Sequence, residues 1–378
     1  MSQPHNRSLP VPSGWNIICR RSSGQFASRR AGLTSGPIAL LVLTLFLGTM
    51  PRGWTQQHTE CAGELLTSVH GADTANGLVR AGDCVWEVST RCIPESCHWD
   101  PRGIRVARLQ GCRWTSDTFE TMMSEITTPV SEEERKKGLV RTVIYIHGNW
   151  TEAASVRERG LRIYCRLKQM NAPPMRFLIY SWPSTRDRSE RILRDIQHKS
   201  WRLDFEAFVV AHLLRQMPPD RPLGILGFSF GGAIAAGALH LDAGGRWGPY
   251  RLDGPAPERQ VHVTLLAPAF DRDAFRPCGE FSQAIQQCGR IVNYYNSCDP
   301  VLKHFRLIDP QTRPEAAGFS GVIAARNSSS RGPIMEDPRI EQINCCCSIG
   351  RTHAELDYYH CLVRFPAGLY NLIDTSIE

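Results

Sequence analysis

Apolar runs, and the glycine, proline and polar stretches between them, divide this chain into alternating strands and helices. Leu139–Ile146 (L-V-R-T-V-I-Y-I) and Met175–Trp182 (M-R-F-L-I-Y-S-W) are nearly continuous in apolar residues, as strands buried on both faces should be. Pro183 ends the second of them. Val261–Ala267 and Ile291–Asn296 read the same way, with Asn344–Ile349 as a short last strand. Helices are predicted over Phe119–Thr127, Val156–Met170 and Ser189–Met217. In the last of these Trp201, Phe205, Phe208, Val209 and Leu213 share one face, which assigns that stripe to the core. Leu362–Ile373 reads as a terminal helix or packed tail. Nearer the start, Cys84–Thr90 alternates and is β-branched, and Ile104–Trp114 follows as a second strand, so the two are expected to pair as an antiparallel hairpin. The whole pattern predicts an α/β fold with a mostly parallel central sheet.

One stretch carries more than packing. Leu223, Ile225 and Leu226 end a buried strand, Gly227-Phe228-Ser229-Phe230-Gly231 follows, and a helix of small residues (Ala233, Ala235, Ala236, Gly237, Ala238) comes next. G-x-S-x-G between a strand and a helix is the pattern of a nucleophile elbow: a tight turn that lifts the serine hydroxyl above the sheet. The glycines let strand and helix approach closely, and the helix N-terminus directs N–H groups at developing negative charge. A second candidate loop, His147-Gly148-Asn149-Trp150, follows the strand at 139–146. Acyl transfer needs two backbone donors for its oxyanion. The N–H of Phe230 fits one, and that of Asn149 (or Trp150) the other.

Charge alters the picture only once it is located. The chain carries +7, but residues 1–50 hold five arginines and no acid, leaving +2 for the remainder. Nucleic-acid binding by the body of the chain is therefore not supported. Pro37–Met50 is an apolar run behind arginines, the layout of an export signal or an uncleaved membrane anchor, with a faint twin-arginine likeness at Ser28-Arg29-Arg30. Residues 1–54 are read as this segment and 55–378 as one domain, with N-terminal strands over 78–115 and a loop insertion or flap over 308–340. An exported location, periplasmic or secreted, turns the fourteen cysteines into disulfide candidates. Cys84, Cys92, Cys97, His98 and Cys112 could instead hold zinc, but C-x4-C with no second close pair favours disulfides or buried thiols. Ser131–Lys137 is a charged, solvated stretch.

A serine hydroxyl needs an imidazole to take its proton, and the imidazole needs a carboxylate to fix its tautomer. Ser229, Asp299 and His353 occur in that order along the chain, each at a predicted strand end. Here the sequence resembles the α/β-hydrolase superfamily from about Val143 onward. The resemblance rests on Y-I-H-G-N (145–149), Y-S-W-P-S (180–184), G-F-S-F-G-G (227–232), L-A-P-A-F-D (266–271), N-S-C-D-P-V-L (296–302) and R-T-H (351–353). Y-S-W-P-S and A-P-x-x-D look most like an uncharacterised bacterial lipase- or esterase-like branch. The resemblance implies an α/β-hydrolase fold, helices on both faces of the sheet, Ser229 as nucleophile, Asp299 as acid, His353 as base, and Phe230 and Asn149 as oxyanion donors. Asp271 is the alternative acid and His360 the alternative base. His147, His240 and His304 are read as structural.

The expected activity is hydrolysis of a carboxylic ester, on a small-molecule or lipid-like acyl substrate, with no cofactor or metal required. Trp150, Trp182 and Phe228 would make its surroundings apolar, and residues 37–50 could associate with a membrane. The rival readings are a catalytically silent α/β-hydrolase-like binding domain at the cell envelope and a metal-dependent envelope protein built on the cysteine-rich regions.

Overall fold

The computed structural model describes residues 78–94, 100–128, 140–309, 311–324 and 337–374. The export segment at 1–54, Ser131–Lys137, and Cys97 with His98 lie outside them. Strands β1 (Cys84–Ser89), β2 (Arg105–Gln110), β3 (Arg113–Asp117), β4 (Arg141–Ile146), β5 (Met175–Ser181), β6 (Leu223–Phe228), β7 (Val261–Leu266), β8 (Cys288–Tyr295) and β9 (Ile340–Asn344) form one sheet in the order β3-β2-β1-β5-β4-β6-β7-β8-β9. β1 pairs β2 antiparallel and β2 pairs β3 antiparallel, and every other pairing is parallel.

β4 and β6 are buried at every position, as central parallel strands must be. Register assigns the two faces. Tyr145 of β4 pairs Ile179 of β5 and Leu226 of β6, so these side chains share a face. On that face helix α2 (Ala153–Gln169) lays Gly160 against Tyr145 and Ile179, and α7 (Ala367–Ile373) lays Gly368 against Thr264 and Tyr294. The opposite face carries α4 (Leu203–Gln216), whose Glu206 takes the Tyr180 hydroxyl at 2.6 Å. Beside it runs α5 (Phe230–Asp242), buried along its whole length, with Gly237 against Ala207 of α4. Helices α1 (Phe119–Thr127, capped by Thr118), α3 (Ile192–Ser200) and α6 (Glu355–Arg364) are the other α-helices longer than one turn among the described residues. The expected architecture, a mostly parallel sheet between helices and opened by antiparallel strands, is the one observed.

Several boundaries differ from expectation, each for a local reason. Ile104–Trp114 is two strands, because Gly111 at φ 59° turns the chain between β2 and β3. Ser189–Met217 is two helices: α3 ends at Ser200 and α4 begins at Leu203. That break takes Trp201 off the core stripe and leaves it 61% exposed, while Phe205 is fully buried. Asn344–Ile349 is not a strand. β9 ends at Asn344, and Cys346–Ile349 is a helical turn. The terminal helical region begins earlier, at Glu355, and breaks at Phe365-Pro366. Within 308–340, Ala316 and Ala317 are fully buried and bonded to the ends of β7 and β8 through Ala317 N–H to Phe270 O (2.8 Å) and Asn296 N–H to Gly318 O (2.8 Å).

The split between α3 and α4 has a measurable consequence. Phe205→Ala should cost about 3–5 kcal/mol by cavity formation, and Trp201→Ala no more than about 0.5 kcal/mol. Urea unfolding of both variants checks this, and equal losses would mean that both aromatics belong to one core stripe.

Candidate active site

The end of β6 and the start of α5 are forced together by the absence of side chains. A Cβ on Gly227 would lie 2.5 Å from Gly231 O, and one on Gly231 would lie 2.2 Å from the Ile146 carbonyl of β4. Only glycine fits either place. Ser229 sits between them at φ 51°, ψ −117°, a backbone region that L-residues avoid at a cost of about 1–3 kcal/mol. Three bonds hold it there. Its N–H donates to Leu266 O (2.9 Å), and its carbonyl accepts from Gly232 N–H and Ala269 N–H (both 3.0 Å).

Ser229 Oγ lies 3.0 Å from His353 Nε2, and His353 Nδ1 lies 2.6 Å from Asp299 Oδ2. With Nδ1 facing a carboxylate, that nitrogen carries the proton and Nε2 is left to accept from the serine. Asp299 is fully buried. Its Oδ1 accepts from the N–H groups of Val301 (2.8 Å) and Leu302 (3.0 Å), and its Oδ2 also accepts from the Tyr358 hydroxyl (3.1 Å). Burial, and then the adjacent Asp299 charge, push the Tyr358 pKa well above the usual tyrosine value, so this hydroxyl stays protonated and donates. Phe228 packs its ring 5.3 Å from His353 and 5.8 Å from Tyr358.

The two loops that carry Asp299 and His353 are tied to each other. Asn296 Nδ2 donates to Gly350 O (2.8 Å) and Thr352 O (3.2 Å), while its Oδ1 accepts from Cys298 N–H (2.9 Å). Cys298 and Cys346 form a disulfide across the same gap. Neither Tyr358 nor this pairing was legible beforehand. An Asn two residues before a Cys is an ordinary loop feature, and the tyrosine lies five residues beyond the histidine, on the following helix, with nothing in its spacing to mark it.

The loop at 147–151 is built on a buried histidine. His147 Nε2 accepts from Trp182 N–H (3.1 Å), so Nδ1 holds the proton and donates to Gly148 O (2.8 Å). Trp182 stacks on the ring and returns a bond from Nε1 to His147 O (2.9 Å). Burial, reinforced by the Arg91 charge, holds the His147 pKa well below the usual histidine value. Trp150 N–H donates to Ser184 O (2.8 Å), which removes it as an oxyanion donor. No hydrogen bond among the described residues takes up the N–H of Asn149 or of Phe230. Trp182 is fully buried beneath the loop and so forms its support rather than a wall facing solvent.

The other candidates are elsewhere. Asp271 Oδ1 accepts from Asp273 N–H (3.1 Å) in a turn, and burial raises its pKa, but it does not reach His353. His360 is exposed on α6. His240 Nδ1 accepts from Gln283 N–H (3.2 Å), which leaves Nε2–H to donate to Arg246 O (3.3 Å), and His304 Nδ1 lies 2.8 Å from Pro300 O, so both serve local structure. Cys84, Cys92 and Cys112 are free thiols. Of the three adjacent cysteines Cys345 is buried and free, Cys346 is the disulfide partner and Cys347 is exposed and free. No group of three or more potential metal ligands occurs among the described residues. Nor is any helix among them long and apolar enough to cross a membrane.

No family profile matches the chain, and no curated protein matches it. The bacterial branch expected above therefore has no family-level match behind it. Among solved structures the chain is similar to Zea mays acyl-protein thioesterase 2, at 19% identity and TM-score 0.32, over 62% of this chain and 96% of that one. It is similar to an esterase B from Lactobacillus rhamnosis with a bound tributyrin phosphonate, at 12% identity and TM-score 0.30, over 89% and 97%. It is also similar to a bacterial heroin esterase, at 13% identity and TM-score 0.31, over 90% and 98%. Scores this low leave function to the geometry of the site.

Two measurements probe these supports. Cys298→Ala together with Cys346→Ala opens a loop of sequence separation 48 and should lower stability by about 2–4 kcal/mol in urea unfolding. An unchanged midpoint would mean that the cross-link does not constrain the chain. The depressed His147 imidazole stays neutral in the fold, whereas the unfolded chain binds a proton below about pH 6.5. Its contribution is thus complete above that pH and is lost as the pH falls, approaching about 1.4 kcal/mol per unit. His147→Gln should flatten the decline in stability between pH 6.5 and 5.5 relative to the native protein. Parallel curves would count against a neutral buried imidazole.

Proposed function

We propose that this chain is a serine hydrolase that cleaves carboxylic esters through an acyl-enzyme, within the α/β-hydrolase fold expected from its sequence. The observation that carries the reading is the unbroken hydrogen-bonded path from Ser229 through His353 to Asp299, mounted on a strained elbow at the C-terminal end of a central parallel strand. His353 Nε2 takes the proton of Ser229 Oγ as the oxygen attacks the ester carbonyl. Asp299 holds the imidazole in the required tautomer and stabilises the imidazolium. The uncommitted N–H groups of Phe230 and Asn149 receive the oxyanion. The imidazolium returns its proton to the leaving alkoxide, and water, deprotonated by the same imidazole, releases the acid.

A binding domain without catalysis has no use for a serine strained toward an imidazole, which favours the enzymatic reading. The proposed substrate is a small-molecule or lipid-like acyl ester, with the Phe228 side of the site apolar. We further propose that residues 1–54 direct export or anchor the chain, and that 55–378 form one domain. The Cys298–Cys346 disulfide suits an oxidising compartment.

The test is labelling of the purified protein with a fluorophosphonate, beside hydrolysis of p-nitrophenyl esters. Ser229→Ala and His353→Ala should abolish labelling, and Asp299→Asn should lower kcat by roughly 10³–10⁴. Asp271→Asn and His360→Gln should stay within about threefold of the native enzyme, as surface and turn substitutions distant from the chemistry do. A folded native protein that neither labels nor hydrolyses would sink the proposal in favour of the binding domain.

A further inference from the structure

We infer that Arg159 and Glu355 are positioning residues which, through the Thr151 hydroxyl, aim the Asn149 N–H at the oxyanion. This rests on the serine-hydrolase reading and deepens it. Glu355 begins α6 two residues after His353, and its side chain is fully buried. Its Oε1 accepts from Tyr359 OH (2.8 Å) and from Tyr145 OH, and its Oε2 accepts from Arg159 Nη1 (2.8 Å). The same guanidinium nitrogen also reaches Thr151 Oγ1 at 3.2 Å.

Polarity then runs one way. A guanidinium can only donate, so Thr151 Oγ1 must accept from Arg159 and turn its own hydrogen elsewhere. The acceptors in reach are Gly148 O at 3.1 Å and Asn149 O at 3.4 Å, and Thr151 itself is fully buried. Gly148 O therefore receives two donors, the Thr151 hydroxyl and His147 Nδ1–H (2.8 Å). In a planar trans peptide the N–H of Asn149 points opposite to the carbonyl of Gly148. Fixing that carbonyl inward turns the Asn149 N–H outward, where no other group uses it. Glu355 thus couples the segment that carries the base to the loop that supplies an oxyanion donor. An ion pair that merely pinned α2 to α6 would need no hydroxyl relay.

Thr151→Val separates the two roles, since it removes the hydroxyl at nearly constant shape and leaves the Arg159–Glu355 pair intact. With p-nitrophenyl butyrate, kcat should fall about tenfold or more while KM stays within about twofold, the signature of an interaction made in the transition state. Inhibition by butaneboronic acid, whose tetrahedral adduct puts an oxygen in the same place, should weaken in parallel. Thr151→Ser should restore both. The paired substitution Arg159→Met with Glu355→Leu, which leaves no lone buried charge, should reproduce the kcat and boronate losses. A folded Thr151→Val that matches the native enzyme in kcat and boronate inhibition overturns the inference while leaving the hydrolase reading intact. A folded native protein with no labelling and no hydrolysis overturns both.

Discussion

Everything at the top of this sheet depends on one close approach, the start of α5 against the Ile146 carbonyl of β4, which Gly231 alone permits. Because the helix begins there, the residue before it must turn within a single peptide, and Ser229 adopts φ 51° to do so. The strain of about 1–3 kcal/mol is offset by ordinary bonds to β7 and its following loop, from Ser229 N–H to Leu266 O and from Ala269 N–H to Ser229 O. The neighbouring strand therefore does more than extend the sheet. It clamps the elbow, and the same loop packs against Ala317 and Gly318, so a segment that reads as insertion in the sequence closes the support from the far side.

Much of this was legible because it is local. A G-x-S-x-G between an apolar strand and an alanine-rich helix constrains backbone geometry within a few residues, and the buried runs of β4 to β8 state their own environment. The order of Ser229, Asp299 and His353 was readable for the same reason, since each follows a strand whose C-terminal end points the same way. What failed was where long-range packing overrode local pattern. Trp201 has the spacing of a core residue, but the helix breaks beside it. Cys345–Cys347 alternate on paper as a strand, yet the chain turns at Cys345 because Cys346 must reach Cys298. Two partners of Glu355, Tyr145 and Arg159, were invisible, since they come from two other elements 210 and 196 residues away in sequence.

The buried charges follow a consistent logic. Glu206 gathers Thr90 and Tyr180 hydroxyls and Arg202 on one face of the sheet, and Glu355 gathers Tyr145, Tyr359 and Arg159 on the other. Each carboxylate is fully buried and would be costly alone. Each takes one donor from its own helical turn, Arg202 or Tyr359, and two from distant parts of the chain. Such hubs add little net stability compared with apolar packing, but they penalise any arrangement in which one partner is displaced, and so select a single geometry.

That selectivity matters most where the site is assembled from separated loops. His353 and Asp299 hang from different strands, and in a hydrogen-bonded path through both a misplacement of about 1 Å is enough to take the imidazole out of productive reach of the serine. Asn296 and the Cys298–Cys346 bridge fix the spacing of those two loops, Tyr358 fixes the carboxylate within its loop, and Glu355 carries the constraint onward to 148–151. Without these ties the strained serine would still be present, but the His353 imidazole would be free to sample positions beyond hydrogen-bond reach. The elbow sets the direction of the Ser229 hydroxyl, and the cross-ties between loops place the imidazole and carboxylate that meet it.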